Sequence, residues 1–209
     1  MSRIEMSRRR WGFLTGLDQK ASERFWQVVR ERTLPVGAWV CRPGDPADTF
    51  YFVDEGMLCV STESEDGRCV ATELLRPGEC GGCCCLGQVP GTTVLGARAI
   101  LPSRIGAIER REFVPLIAEN PSLAFGLLDV LQSRERKLEQ RLIRVLSLPA
   151  LERVRDLLSD VGAASVFGMQ QLPLTHQDIA DLLGLTRETV SRAIAELRRA
   201  ECCSGVVAS

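Results

Sequence analysis

The first hundred residues carry short apolar runs between turn sequences, and this pattern predicts β structure. The turns recur at intervals of about 8–12 residues, which suits a small sandwich or barrel of antiparallel strands. They are Pro43-Gly44-Asp45-Pro46, Asp54-Glu55-Gly56, Glu65-Asp66-Gly67 and Arg76-Pro77-Gly78. Asp66-Gly67 predicts a two-residue hairpin turn, with Ser64 opposite Cys69. We therefore expect a β domain over residues 1–119.

The hydrophobic period changes after Asn120. Pro121 is typical of the first turn of a helix, and apolar residues then recur at spacings of three, four and seven positions. They are Ala124, Leu127, Leu128, Leu131, Leu138, Leu142 and Val145. Arg134 and Arg141 interrupt this apolar stripe where a strict heptad would carry apolar residues. The pattern predicts one long helix over residues 120–147, paired either with a second copy of the chain or with its own domain.

A helix break at Leu148-Pro149 opens the C-terminal domain, which we expect over residues 148–209. Within it, Thr175 and Asp178 predict the capped start of a short helix, and Gly184 permits a tight turn after it. Thr186 predicts the cap of a second helix. A short helix, a glycine turn and a second helix form the helix-turn-helix unit.

The second helix has two distinct faces. Its apolar stripe consists of Val190, Ala193, Ile194 and Leu197. On the opposite side, the first turn and a half carries side chains that can hydrogen-bond to base edges in the major groove. The predicted DNA-binding residues are Thr186, Arg187, Glu188, Ser191 and Arg192. Arg side chains bind guanine and Glu accepts from cytosine, so we expect a TGTGA- or TTGA-like half-site.

The segment Gly184 to Arg192, GLTRETVSR, resembles the recognition segment of the CRP/FNR superfamily of transcription regulators. The resemblance implies an α+β fold with an N-terminal β-roll, which is a jelly roll of the cyclic-nucleotide-binding type. It also implies a long dimerisation helix and a C-terminal winged helix-turn-helix. Cys202-Cys203 stands where family members enter their wing, so the wing is expected to be short, and the pair itself is expected to pack as small hydrophobic residues.

The resemblance also implies the partners of the chain. They are double-stranded DNA with a near-palindromic site, a second copy that completes a homodimer, and RNA polymerase. In the family, the positions that match Arg187, Glu188 and Arg192 contact bases.

Charge and composition narrow these expectations. The chain has 26 Lys and Arg residues against 27 Asp and Glu residues, so binding to DNA must depend on local charge. Residues 173–200 hold four Arg and four acidic residues, which makes phosphate attraction weak unless the basic residues of 134–144 contribute. We expect no enzymatic activity, because no HExxH, Walker or GxSxG motif is present.

The sequence is also expected to be cytoplasmic. No uncharged apolar run reaches the length of about 18 residues that a membrane span needs. A twin-arginine-like start at residues 7–14 is followed at once by charged residues instead of the apolar stretch that export requires.

Nine cysteines are the most unusual feature of the composition, and four of them are Cys80, Cys83, Cys84 and Cys85. In a reducing cytosol, clustered thiols indicate metal ligation or redox chemistry. We predict that these four residues form a metal site for an iron–sulfur cluster, with Cu(I) or Zn(II) as alternative metals. A further thiol ligand could come from elsewhere in the chain or from a second subunit.

Haem is another alternative, because one family branch uses a cysteine of this segment as an axial ligand. However, the only histidine, His176, lies in the DNA-binding unit. A cyclic nucleotide is not expected, because the family's carboxylate, Arg and Ser ligands fall at Cys83, Thr93 and Val94. The nearest guanidinium, Arg98, is predicted on the following strand.

The predicted function is therefore a sequence-specific DNA-binding transcription regulator whose Cys-rich sensor domain responds to redox state. An alternative is a regulator controlled by a small organic ligand in the β-roll. Constitutive DNA binding, with cysteines that only pack, is a further alternative.

Overall fold

The described residues of the computed structural model are 11–87, 91–162 and 174–204. They divide into two units. The first consists of Met1–Thr62 with Glu73–Lys137, and the second of Glu63–Thr72 with Leu138–Ser209. Among these residues, no single helix is long and apolar enough to cross a membrane, and only a bent pair, Arg110–Glu119 with Pro121–Ser147, reaches that length and hydropathy together.

Two four-stranded antiparallel sheets build the β-roll that the sequence predicts. In one sheet the strand order is β1-β8-β3-β6, and in the other it is β2-β7-β4-β5. The strands are β1 (Arg30–Leu34), β2 (Trp39–Cys41), β3 (Thr49–Glu55), β4 (Leu58–Glu63), β5 (Cys69–Leu75), β6 (Cys80–Gly81), β7 (Gly96–Ala99) and β8 (Ser103–Glu109). Val53, Leu58, Leu75 and Ile105 are fully buried in one core cluster of these strands.

Two helices of the first unit were not predicted from the sequence. They are α1 (Gln19–Val28) and α2 (Arg110–Glu119). Asp18 caps α1, since its carboxylate accepts a hydrogen bond of 2.7 Å from the amide of Ala21. Both helices contribute to an aromatic core cluster, whose rings are Trp11, Phe13, Phe25, Phe50, Phe52 and Phe113.

The hairpin between β4 and β5 differs from the prediction by one residue. The amide of Ser64 donates to the carbonyl of Arg68 over 2.9 Å, and the amide of Gly67 donates to the carbonyl of Ser64 over 2.8 Å. Ser64 is therefore paired with Arg68, and the predicted pairing with Cys69 is wrong. The reason is that Gly67, with φ +77°, adopts the left-handed conformation of a three-residue loop instead of a two-residue turn.

Four further α-helices follow among the described residues. They are α3 (Pro121–Ser147), α4 (Ala150–Gly162), α5 (His176–Leu183) and α6 (Arg187–Ser204). The periodicity after Asn120 predicts α3 closely, including its end before Pro149. Helix α6 continues through Cys202 and Cys203 to Ser204. The predicted short wing falls on residues 205–209, which lie outside the described residues.

Candidate DNA-reading surface and thiol site

The first helix of the helix-turn-helix, α5, is fixed at both ends by local hydrogen bonds. The hydroxyl of Thr175 accepts from the Asp178 amide over 3.1 Å, and the Asp178 carboxylate accepts from the Thr175 amide over 2.8 Å. This reciprocal pair is a capping box. At the other end, Gly184 has φ +62° and ψ +41°, the left-handed conformation that ends a helix without steric cost.

Two arginine side chains satisfy the last carbonyls of α5. Arg141 from α3 donates to the carbonyl of Leu182, and Arg153 from α4 donates to that of Leu183 over 3.0 Å. Arg141 also donates to the backbone of the β4–β5 hairpin, at Ala71 over 2.6 Å and at Thr72. Cations at a helix C-terminus are favourable because they meet unpaired carbonyls and the negative end of the helix dipole.

The second helix, α6, presents one face to the core and the other to solvent. Its predicted apolar stripe is buried, with Val190 fully inaccessible. Thr186 caps the helix, because its hydroxyl accepts from the amide of Thr189 over 3.2 Å. Arg187, Glu188 and Arg192 are exposed. Thr186 is exposed as well, and it forms with these three side chains the exposed part of the predicted DNA-reading surface.

Ser191 is placed differently from these exposed side chains. It is half-buried, and its Oγ shares a hydrogen bond of 2.9 Å with Nδ1 of His176 at the start of α5. Sequence reasoning had treated His176 only as a possible metal ligand and missed this contact. The two residues are 15 positions apart and lie on different helices, so their contact leaves no local signal in the sequence.

Four of the five basic residues of α3 are engaged within the protein. Arg134 pairs with Glu73, Lys137 pairs with Glu79, and Arg144 pairs with Asp160 over 3.0 Å. Arg141 makes the backbone contacts described above. These four side chains therefore already have partners inside the chain, and the weak phosphate attraction expected from residues 173–200 is not offset by unpaired charge at these positions.

The second candidate site contains two cysteines that influence each other's ionisation. Cys80 lies on β6, and Cys83 begins a 3₁₀ turn over Cys83–Leu86. Cys80 belongs to the aromatic core cluster, and Cys83 packs against that cluster. Cys80 is 2% exposed, whereas Cys83 is half-buried.

The glycines between these cysteines are required by close packing on β3. A Cβ atom at Gly81 would lie 2.6 Å from the ring of Tyr51, and one at Gly82 would lie 2.1 Å from the carbonyl oxygen of Thr49. Gly82 also has φ +75°, which favours glycine. The backbone that carries the two thiols is therefore pressed tightly against its neighbouring strand.

The two thiols differ in acidity. A hydrogen bond from Cys80 lowers the pKa of Cys83 to about 7; burial opposes this shift, and the nearby positive charge of Arg134 adds to it. The same hydrogen bond, together with burial, raises the pKa of Cys80 well above its usual value. Cys83 is therefore the more acidic thiol of the pair, and Cys80 is the one that keeps its proton.

An ion pair from α3 completes this thiol site, which we define as Cys80, Cys83, Arg134 and Glu73. The guanidinium of Arg134 lies 2.6 Å from the Glu73 carboxylate, and the two side chains are only 25% and 16% exposed. Burial raises the pKa of Glu73 more than Arg134 lowers it. For Arg134, burial is outweighed by the charges of Glu73 and Cys83, so its pKa is raised.

The structure brings together only part of the predicted metal site. Cys85 is 1% exposed and packs in the aromatic core cluster, while its carbonyl accepts from Arg110. The Cys84 side chain lies outside the described residues. Across the described parts of the chain, no three His, Cys, Asp or Glu side chains converge as metal ligands. The iron–sulfur cluster therefore stays a prediction.

The positions that correspond to nucleotide ligands are used structurally. Thr93 is buried, and its hydroxyl donates to the carbonyl of Arg42 over 2.7 Å, while Val94 is exposed. Arg98 lies on β7, as expected, where its guanidinium is 5.9 Å from the ring centre of Trp39.

A β-roll, a long helix and a helix-turn-helix with an exposed polar face together define a DNA-binding transcription regulator. Comparison with known families agrees with this class. Residues 31–120 match the cyclic nucleotide-binding domain, and residues 140–207 match the Crp-like helix-turn-helix domain. The chain belongs to the CRP/FNR family of transcription regulators.

Individual relatives cover most of the chain. It is 30% identical over 172 residues to the global nitrogen regulator of Synechococcus elongatus, covering 79% of this chain and 77% of that protein. It is 27% identical over 194 residues to the CRP-like cAMP-activated global transcriptional regulator of Mycobacterium tuberculosis, covering 90% and 85%. The structure of FixK2 from Bradyrhizobium japonicum is similar with a TM-score of 0.74 at 27% identity, covering 83% of this chain and 86% of FixK2.

Proposed function

We propose that this protein is a homodimeric, sequence-specific DNA-binding regulator whose Cys-rich β-roll responds to redox state. The observation that carries the proposal is the exposed face of α6, where Arg187, Glu188 and Arg192 stand on a helix whose other face is fully buried. Rigid attachment of the helix and free exposure of polar side chains are what base reading in the major groove requires.

Specific roles follow from the hydrogen-bonding capacity of each side chain. Arg187 and Arg192 each read a guanine, and Glu188 accepts from a cytosine on the opposite strand, in a TGTGA- or TTGA-like half-site. Ser191 reaches the DNA only if it exchanges or shares its hydrogen bond with His176. Thr186 contributes mainly as the helix cap.

The apolar surface of α3 supports the homodimer. In the predicted stripe Leu127 is buried and Ala124 is half-buried, but the remaining residues are exposed in a single chain. The exposed apolar residues of this helix are Phe125, Leu128, Leu131, Leu138, Leu142, Ile143, Val145 and Leu146. Such a long apolar face is costly in water, and a second copy related by a two-fold axis would cover it.

A two-fold dimer places two recognition helices on half-sites about one helical turn apart. We therefore propose a near-palindromic DNA site, with RNA polymerase as the machinery on which the regulator acts and the cytoplasm as its location. Selection of bound sequences from a random DNA library tests the site directly. A selected palindrome supports the proposal, and recovery of unrelated sequences contradicts it.

Sedimentation at micromolar protein tests the dimer with and without DNA. A dimer is expected in both conditions. A matched variant, Leu142→Glu, places a charge on the exposed apolar face and should shift the protein toward monomer, whereas Arg136→Glu on the same helix should not. A strict monomer for the unmodified protein would contradict the proposal.

The redox response rests on the Cys80–Cys83 contact and the positive charge beside it. Two kinds of thiol chemistry would give this response: a cluster held by Cys80, Cys83, Cys84 and Cys85, or oxidation of the thiols themselves. Because Cys85 packs in the aromatic core, the geometry favours oxidation of the pair. Regulation by a small organic ligand remains the alternative function.

Anaerobic purification followed by visible absorbance, iron and sulfide analysis separates these chemistries. An iron–sulfur cluster or haem absorbs broadly in the visible, whereas a thiol pair is colourless. A colourless, metal-free protein whose DNA affinity responds to oxidant supports thiol oxidation. A metal-free protein whose DNA affinity ignores oxidant contradicts redox sensing and leaves a ligand-controlled or constitutive regulator.

A further inference from the structure

We propose that Cys80 and Cys83 form a reversible disulfide on reaction with a hydroperoxide, and that this bond weakens the attachment of α3 to the β-roll through Arg134. The inference deepens the proposed function and rests on it for its effect on DNA binding. The chemistry of the disulfide itself is independent of whether the protein binds DNA.

The pair is already arranged for bond formation. Only two residues separate the cysteines, and both side chains pack in one place, Cys80 within the aromatic core cluster and Cys83 against it. Gly81 and Gly82 hold the intervening backbone against β3, so the two sulfur atoms are kept together by the packing of the sheet. A disulfide needs neighbouring Cβ atoms and little backbone movement, and this short turn keeps the thiols close.

The two cysteines differ in access, which assigns their roles. Cys83 is half-buried, while Cys80 is 2% exposed and packs in the aromatic core cluster. An oxidant from solvent therefore reaches Cys83 first. Cys80 lies behind it, as the thiol that resolves the oxidised form.

The reaction balances with one hydroperoxide. The Cys83 thiolate attacks the terminal oxygen of the peroxide, the O–O bond breaks, and the leaving alkoxide takes a proton to become an alcohol. Cys83 is then a sulfenic acid. The Cys80 sulfur, on losing its proton, attacks the Cys83 sulfur and displaces hydroxide, which leaves as water. Two thiols are oxidised by two electrons, and the peroxide is reduced by two electrons.

Arg134 connects this chemistry to the long helix. Its guanidinium lies 2.6 Å from the Glu73 carboxylate, and its positive charge also acts on Cys83, whose pKa it lowers. One turn further along α3, Lys137 pairs with Glu79. These contacts are all within the first unit, and α3 continues without a break to Ser147.

A disulfide removes one partner of Arg134. Its sulfur atoms carry no negative charge and accept hydrogen bonds weakly, so Arg134 keeps only Glu73. The reduced protein therefore holds α3 more firmly than the oxidised protein does. If the firmly held helix is the DNA-binding form, oxidation lowers the fraction of competent protein and raises the apparent Kd by the same factor.

Mass spectrometry of non-reduced digests tests the disulfide. After one equivalent of hydrogen peroxide, a loss of two hydrogen atoms is expected in the peptide over residues 80–109 that cleavage after Glu releases. This peptide contains four cysteines and no Asp or Glu before its terminal Glu109. The double variant Cys84→Ser/Cys85→Ser assigns the bond, because only the proposed pair remains in it.

Single variants test the assigned roles. Cys80→Ser should accumulate a sulfenic acid on Cys83 that dimedone traps, and Cys83→Ser should be unreactive in this peptide. The exposed-strand variant Cys69→Ser is the matched control and should form the bond like the wild type. Absence of the bond in both the wild type and the Cys84→Ser/Cys85→Ser variant would overturn the proposal.

DNA affinity in the reduced and oxidised states tests the coupling. We expect oxidation to weaken binding to the selected site about tenfold, within the usual range of coupling between sites. Arg134→Gln should form the disulfide but lose this difference, whereas Arg136→Gln on the same helix should keep it.

The possible failures can be told apart. A disulfide without any change in affinity would overturn the coupling through Arg134. A protein that selects no DNA site would contradict the proposed function, while the mass spectra would still decide whether the disulfide forms.

Discussion

The DNA-reading surface and the thiol site differ in how their chemistry is produced. Arg187, Glu188 and Arg192 are exposed, and their placement follows from the turn of a single helix. At the thiol site, Cys83 becomes acidic through contact with a neighbouring thiol and with Arg134 from a distant helix. The DNA-reading surface uses the ordinary hydrogen-bonding properties of its side chains, whereas the thiol site shifts the pKa values of its side chains.

The difference teaches how far each site depends on the rest of the fold. The reading surface needs only a buried stripe to hold α6 in place. The thiol site combines β5, β6 and α3, because Glu73, Cys80 and Arg134 come from these three elements. Substitutions at the thiol site are therefore expected to change folding stability, whereas substitutions at the DNA-reading surface are expected to change sequence recognition.

The largest expected effect is on stability, from Arg134→Leu. This change leaves the Glu73 carboxylate mostly buried without its cation. Breaking a fully buried pair costs about 3–5 kcal/mol, and the partial exposure of this one reduces the expected loss of unfolding free energy to about 2–3 kcal/mol. Urea unfolding measures it. Arg136→Leu, an exposed position on the same helix, should change the unfolding free energy by less than about 0.5 kcal/mol.

Glu73→Gln sharpens this result. Because burial raises the pKa of Glu73, the ionised carboxylate is disfavoured in the folded protein. The tighter binding of the proton by folded Glu73 stabilises the protein. This contribution is fully present below the pKa of Glu73 in the unfolded chain and declines as the pH rises through its higher pKa in the folded protein. The neutral amide of Gln has no charge to bury and avoids that decline. At pH 7, Glu73→Gln should therefore lower the free energy of unfolding by less than about 1 kcal/mol. Equal losses for Glu73→Gln and Arg134→Leu would contradict this view of the site.

At the reading surface, Arg192→Ala should leave stability unchanged and weaken binding to the selected DNA by about 1–3 kcal/mol. Specificity should relax at one base position, because a guanine loses its hydrogen-bond donor. Fluorescence anisotropy with specific and random DNA measures both effects. Arg198→Ala, exposed on the same helix beyond the reading face, is the control. Equal weakening on both DNAs would reassign Arg192 to phosphate contact.

A smaller effect is expected on the rate of alkylation of Cys83, and this rate depends on pH because the thiol is acidic. With a pKa of about 7, its rate of alkylation by iodoacetamide should rise about tenfold per pH unit below pH 7 and level off above it. Because Cys69 is exposed and also reacts, the rate is followed at Cys83 itself by mass spectrometry, in the Cys84→Ser/Cys85→Ser background. Cys80→Ala removes the main hydrogen bond to Cys83 and should move the midpoint to higher pH. An unchanged midpoint would show that Cys80 does not set this acidity.

The smallest effect concerns the link between the two helices of the DNA-binding unit. Ser191→Ala should lower the unfolding free energy by about 0.5–1.5 kcal/mol, the usual value of one hydrogen bond. A double-mutant cycle with His176→Ala isolates the contact, since the two losses should not add. Fully additive losses would mean that the hydrogen bond contributes nothing to stability.

Local sequence signals predicted the helix-turn-helix well. Thr175 and Asp178 form the expected capping box, and Gly184 adopts the expected left-handed turn. The helix over Pro121–Ser147 likewise follows from its apolar period and the proline beyond its end. These features involve residues within a few positions of one another, where propensity and hydrogen bonding act directly.

The less successful predictions involve distant or competing contacts. Helix α1 carries a readable cap in Asp18, but its short apolar pattern resembles the strands that follow. The turn at Gly67 was placed one residue off, because a left-handed glycine suits both two- and three-residue loops.

By itself, the sequence determined the order of β domain, long helix and helix-turn-helix, the buried and exposed faces of α6 and the presence of a cysteine cluster. The tertiary structure decided which thiols meet and what surrounds them. It also explains Arg134 and Arg141, which break the apolar stripe of α3 because one pairs with Glu73 beside Cys83 and the other caps α5. Periodicity is a property of neighbouring residues, whereas a pKa or an ion pair depends on groups that only folding brings together.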